Sequence, residues 1–231
     1  MQSNQCLICG SEMIYKEKAD SHSCFYCGKK VSSQTGCKNN HFVCDGCLTA
    51  DVNSIINNFC LTSEISDPIE LATALMKHPS LKMHGQEHHF LVPAVLLKAY
   101  YTETGELKKL ESGLQEAYKR SSKILENSCS LYGNCGAAVG AGIFISLIKE
   151  VTPFSETSWR HANLVTSESL KDIAENGGPR CCKRNSFLAI HRAVRFMVKY
   201  MNINISFPQQ RLCTFHGNNK ECIKLACPYY P

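Results

Sequence analysis

The chain has 231 residues, 44% of them hydrophobic, which is room for one mid-sized core and a small satellite. Its fifteen cysteines follow no basic-then-apolar leader, and seven of them stand before residue 48 in CxxC-type spacing, so metal-bound thiolates in a reducing, cytoplasmic setting are expected and a disulfide scaffold is not. The net charge of +5 is uneven: residues 1–60 sum to zero, whereas residues 177–231 carry nine Lys/Arg against the single acid Glu221, which suits an anionic partner such as a small molecule or RNA.

Residues 1–50 hold few apolar side chains between Cys, Gly, Asn and Ser, so metal must supply their stability. Residues 51–67 read as a linker, with a short connecting helix over 51–59. Asp67-Pro68 is an N-cap followed by proline at the first helical position, and the apolar face Ile69, Leu71, Ala72, Leu75, Met76 predicts a helix over 68–78, stopped by His78-Pro79. Further helices are predicted over 90–101, with Pro93 near the start, and over 106–126.

Residues 135–148 are apolar all round, which predicts a central buried helix, and Gly136 and Gly140 allow neighbouring backbones close. The run is too short for the ~20 residues of a membrane span, and no lipidation signal accompanies it. A short helix over 167–174 ends at Gly177-Gly178-Pro179, a long one covers 180–200, and periodicity is lost beyond Pro208. No strand-rich region is visible. The expected fold is mainly α: a small N-terminal two-zinc Cys/His module, then a helical domain over 68–231 with a cysteine-rich C-terminal tail.

The strongest chemical signal is Cys6-x2-Cys9-x14-Cys24-x2-Cys27-x9-Cys37-x3-His41-x2-Cys44-x2-Cys47, eight ligands for two tetrahedral zinc ions. Two pairings fit. Either Cys6, Cys9, Cys24 and Cys27 share one ion, or the pairs alternate in a cross-brace that joins Cys37 and His41 to Cys6 and Cys9. The last four ligands resemble the middle of RING-type modules, but they stand at the end here, and ligase function does not follow.

Cys213, Cys222 and Cys227-Pro228 form a second metal-ligand set, for an iron–sulfur cluster or, with His216, a third zinc. Cys129 and Cys135 precede one predicted helix and Cys181 and Cys182 another. A helix N-terminus lowers a thiol's pKa, and Arg180, Lys183 and Arg184 would add to that effect and bind an anionic group. Cys135 fits equally well as a small core residue. The tail is expected to fold back and share a site with at least one of these helix-start thiols, with Cys129, Cys135, Cys181, Cys182, Cys213, Cys222 and Cys227 gathered around one metal or iron–sulfur centre.

His84-Gly-Gln-Glu87-His88-His89 contains the HxxEH string of a zinc-peptidase class, but Gly85 and Pro93 oppose one long helix there, and proton transfer by His84, Glu87 or His88 is the better reading. On the last long helix Arg184, His191, Arg192, Arg195 and Lys199 share an arc, either a phosphate-binding stripe or a solvated face.

The strings CLICG, CFYCGKK, NHFVCDGC, HGQEHHFLVPAVLL, GNCGAAVGAGIF, GGPRCCKR and CPYY together resemble an uncharacterised prokaryotic cysteine-rich family of unknown function. The resemblance spans nearly the full chain. It implies company with SAM-dependent methyltransferase or radical-SAM domains, although neither GxGxxG nor CxxxCxxC occurs here. The residues themselves favour a metal-dependent enzyme or catalytic subunit, a transferase or lyase in sulfur or one-carbon chemistry. Cys135, Cys181, Cys182, His84, Glu87 and His88 would be catalytic, and Arg180, Lys183 and Arg184 substrate-binding. The rival is a zinc-dependent adaptor for nucleic acid or protein.

Overall fold

The computed structural model describes residues 5–205 and 212–231; Pro208, where periodicity ends, lies outside them. The N-terminal module is built on an antiparallel hairpin, β1 (Met13–Ser23) and β2 (Lys30–Cys37). Its register runs from Met13 opposite Cys37 to Ser23 opposite Lys30, with a shift between Tyr15 and Asp20. The sequence reading missed this small sheet because β1 is mostly polar and exposed, so no apolar alternation marks it. Cysteines stand at its ends instead: Cys9 Sγ lies 3.5 Å from Cys37 Sγ, and Cys24 follows β1 directly. A short helix, α1 (Asp45–Thr49), closes the module.

The rest is helical. Asp51 caps α2 (Val52–Thr62) by accepting from the N–H groups of Asn53 and Ser54, and Ile55, Ile56, Phe59 and Cys60 are buried. The connecting stretch is thus part of the core. Asp67 caps α3 (Pro68–Met76) in the same way, as its sequence predicts.

Pro93 stands well inside α4 (Glu87–Glu103), which starts earlier than 90–101. Proline cannot donate to the carbonyl four residues back. The Ser121 hydroxyl of α5 (Leu110–Ser121) donates to that carbonyl, His89 O, at 3.1 Å, so the helix continues. α6 (Ser128–Leu131) is one turn, and α7 (Gly136–Ile148) is the central helix, in contact with α4, α5, α8 and α9. A Cβ at Gly140 would lie 2.9 Å from Pro93 Cδ and 3.1 Å from His89 O, so only glycine lets α7 approach α4 so closely.

α8 (Thr157–Glu175) begins ten residues before the predicted 167, because only Val165 and Ser169 are buried and its first half carries little apolar pattern. α9 (Cys182–Met201) matches its prediction closely, and its N-terminal residues Lys183, Arg184, Asn185 and Ser186 are buried despite their polarity. Among the described residues no helix is long and apolar enough to cross a membrane.

The metal module is seated on this body. Tyr26 is wholly buried against Phe59 and His78, and its hydroxyl donates to Ala74 O at 3.2 Å. Lys77 Nζ donates to Ile8 O at 2.6 Å, and His78, whose Nδ1 accepts from the Ser80 N–H, donates from Nε2 to Cys47 O at 3.0 Å.

Candidate metal centres

The hairpin and the turns beside it bring eight side chains into two groups. Cys6, Cys9, Cys37 and His41 form one, Cys24, Cys27, Cys44 and Cys47 the other, with the ligand atoms of each within 4.8 Å of one another. Cys9 and Cys37 Sγ are 3.5 Å apart, Cys27 and Cys44 Sγ 3.8 Å, and Cys37 Sγ lies 3.8 Å from His41 Nδ1. Ligands about 2.3 Å from a tetrahedral ion stand about 3.8 Å apart, so each group can hold one metal ion. The pairing is the cross-brace, not the sequential alternative.

Backbone donors prepare the sulfurs: Asn39 N–H lies 3.3 Å from Cys37 Sγ and Cys44 N–H 3.4 Å from Cys24 Sγ. The Ser11 hydroxyl and N–H lower the Cys9 thiol to about 5. Burial works to raise Cys24, but the N–H groups of Cys44, Cys27 and Tyr26 outweigh it and bring the thiol to about 7.

The remaining cysteines of the functional set do not meet at one centre, as the sequence reading expected. They divide between two cavities of similar size on either side of the α9 N-terminus. The first is lined by Cys181, Cys213, Cys222 and Cys227, with Lys183, Arg184, His216 and Asn219. The tail therefore does fold back onto a helix-start thiol. Donors surround these sulfurs: Arg184 N–H and Asn219 Nδ2 lie 3.5 and 3.6 Å from Cys181 Sγ, Phe215 N–H 3.3 Å from Cys213 Sγ, and Lys224 N–H 3.4 Å from Cys222 Sγ. Asn219, which no sequence motif marks, joins the tail to Cys181.

The second cavity is lined by Cys129, Cys135 and Cys182, with His88, His89, Glu126, Arg180 and Asn185. Asn185 Nδ2 lies 3.5 Å from Cys135 Sγ. Cys135 is half-buried at the start of α7, and a Cβ at Gly136 would overlap the His89 ring. Asn127, Cys129, Cys135, Arg180 and Asn185 also line a wider cleft of about 1120 Å3 that opens this cavity to solvent.

The expectation of activated thiols at the α9 start is corrected. Burial raises Cys181, and it raises Cys182 to about 11 despite the Gly85 N–H and Arg180, because desolvation outweighs the helix N-terminus. Without metal these groups are thiols rather than nucleophilic thiolates.

The three cations assigned to an anionic group are placed unlike one another. Lys183 and Arg184 are 2% and 3% exposed. Lys183 Nζ lies 3.2 Å from Leu81 O and over the Phe215 ring, and Arg184 donates to Gly177 O and Pro179 O. Arg180 is exposed and donates to Asn127 Oδ1 at 2.6 Å. The HxxEH string does not form a helical ligand pair, since α4 starts at Glu87. His84 Nε2 faces Glu221 at 3.5 Å, Glu87 lines neither cysteine cavity, and His88 Nε2 is buried without a hydrogen-bond partner.

The basic arc of α9 is not a free stripe. Arg192 is half-buried, paired to both oxygens of Asp172 at 2.5 and 2.7 Å and to Glu168 at 3.6 Å, while Arg195 and Lys199 remain exposed.

No curated protein and no solved structure matches the chain. One family model does match: it covers residues 56–230, α2 to the tail with both cysteine cavities, and the chain belongs to that family, the Family of unknown function DUF5714.

Proposed function

We propose that this protein is a metal-dependent enzyme, or its catalytic subunit, whose helical domain carries an iron–sulfur cluster on Cys181, Cys213, Cys222 and Cys227, while the N-terminal module carries two structural zinc ions. The observation that carries this reading is a charge imbalance. Four cysteines from two distant segments line one cavity together with Lys183 and Arg184, and among the described residues neither cation has a carboxylate within 4 Å, Glu87 acting on Lys183 only from further away. An unpaired buried ammonium costs several kcal/mol. Four thiolates around a cluster are net anionic and offset that cost, whereas four neutral thiols do not.

Spacing favours a cluster over a third zinc. Among the described residues only the two N-terminal groups reach single-ion spacing, and the tail cysteines with Cys181 do not. Several irons need their sulfur ligands further apart than one ion does. The N–H donors at three of the four sulfurs are the contacts that tune such a cluster.

The wide cleft beyond the second cavity suits an anionic small molecule held by Arg180, and sulfur or one-carbon transfer suits thiolate-rich surroundings. A methyltransferase or radical-SAM protein is the partner this chemistry would call on. The adaptor reading is weaker, because acids on α8 already engage Arg192 of the stripe.

Anaerobic purification tests the proposal. Stoichiometric iron and sulfide that fall by one cluster's worth when Cys213, Cys222 and Cys227 are changed to serine, while two zinc ions stay, would support it. A colourless protein with zinc alone after anaerobic reconstitution would overturn it.

A further inference from the structure

Three helices begin at the second cavity. The first residues of α4, α7 and α9 all line it: Gln86 and His88, then Cys135 and Gly136, then Cys182 and Asn185. Each helix is longer than eight residues, and α4 and α7 have no side-chain cap. The positive ends of three helix dipoles therefore converge on one space, although the first N–H groups of α4 and α9 are already bonded, those of His88 and His89 to Gly85 O and Gln86 O and that of Arg184 to Cys181 Sγ. Arg180 adds a full positive charge, and Glu126 is the one acid in the lining. His88 is 1% exposed; its Nδ1–H donates to Gly85 O, so its Nε2, in the wall of the same space and without a partner, is a lone-pair atom suited to a metal rather than a donor to the anion. A cavity so arranged is built to receive an anion.

Three cysteines from three different segments line it too: Cys129 in α6, Cys135 capping α7 and Cys182 opening α9. Three converging thiols specify more than a generic anion, because a phosphate or carboxylate needs donors and gains nothing from sulfur. We infer that the second cavity is a second metal–sulfur centre, an anionic cluster held by the thiolates of Cys129, Cys135 and Cys182 and stabilised by the α4, α7 and α9 N-termini. No ligand is shared with the first cavity, so the inference stands apart from the reading above. A single zinc is the poorer occupant, since these sulfurs also fall outside single-ion spacing among the described residues.

The two centres would be joined by one peptide link, Cys181 serving the first and Cys182 the second. A cluster on three cysteines keeps one metal position without a cysteine ligand. The cavity opens to the cleft through Cys129, Cys135 and Arg180, so that position would lie where a small anion arrives.

The test is an iron, sulfide and zinc count on three full-length proteins reconstituted anaerobically with iron and sulfide: the unaltered chain, a Cys129→Ser/Cys135→Ser/Cys182→Ser variant and a Cys213→Ser/Cys222→Ser/Cys227→Ser variant. If both cavities hold four-iron clusters, about eight irons are expected in the first protein and about four in each variant. Helical circular dichroism checks folding, and single Cys129→Ser and Cys135→Ser variants replace the triple variant if it fails to fold. Iron lost only in the tail variant would overturn this inference and leave the first cluster standing. Iron lost only in the Cys129/Cys135/Cys182 variants would do the reverse. One zinc in place of the iron, or phosphate retained without metal, would also overturn it.

Discussion

Cys181 and Cys182 are adjacent in the chain and line different cavities: Cys181 stands with the three tail cysteines, Cys182 with Cys129 and Cys135. At a helix start, consecutive side chains diverge by about 100°, so two neighbouring thiols cannot face one centre. The position of α9, fixed by its apolar face against α4 and α7, decides which thiol meets which partner.

Lys183 should separate the metal-free and metal-loaded proteins. Burial lowers its ammonium to about 8, against the raising effects of Glu87 and the thiols of Cys182, Cys181 and Cys213. Lys183→Met removes the buried charge, so the metal-free protein is expected to gain about 1 kcal/mol of stability, net of the lost bonds to Leu81 O and Met76 O. The same change should weaken cluster retention, because an anionic cluster would lose one of the two buried cations that line its cavity. Urea unfolding of the apoprotein and iron retention against a chelator give the two signs. Equal loss in both would mean that Lys183 acts only as packing.

Removing zinc is expected to loosen more than the N-terminal module. Tyr26 shares the core of α2 and α3, so chelation should expose Phe59 and His78 as well. Tyr26→Phe deletes only the bond to Ala74 O and should cost about 1 kcal/mol, while Tyr26→Ala should cost about 3–5 kcal/mol. Hydrogen exchange in α2 and α3 before and after chelation checks the coupling. Unchanged protection there would show the module to be independent.

Arg192 and Arg195 lie on one arc of α9 and should behave differently. Arg192→Ser breaks a bidentate, half-buried pair with Asp172 and is expected to cost about 1–2 kcal/mol. Arg195→Ser, at an exposed site, should stay within about 0.5 kcal/mol. Denaturant midpoints of the two variants decide it.

His191 gives a pH dependence. Burial, with Arg195 nearby, lowers its imidazole to about 4, below the ordinary 6.5. The unfolded chain therefore binds the extra proton between these values, and stability is fully present above about pH 6.5 and lost as pH falls toward 4. His191→Phe should flatten this part of the stability–pH curve relative to the unaltered protein. Parallel curves for the two proteins would show that His191 does not contribute.

The sequence by itself determined the mainly helical class and the eight N-terminal ligands, because CxxC turns and 3.6-residue apolar periods are local properties that need no neighbour. Asp67-Pro68 located a helix start for the same reason, and the small residues Gly136 and Gly140 already implied a close helix approach. It also brought the tail cysteines to a helix-start thiol, though it expected one centre where the structure has two cavities. Tertiary structure alone decided the cross-brace pairing, since both pairings satisfy the same spacing and only the hairpin register brings Cys37 and His41 to Cys6 and Cys9. It alone buried Lys183 and Arg184, which the sequence assigned to an anionic group without placing them inside or outside the fold. It alone turned Cys181 and Cys182 to opposite sides and raised their pKa values, because desolvation depends on which distant segments cover a thiol.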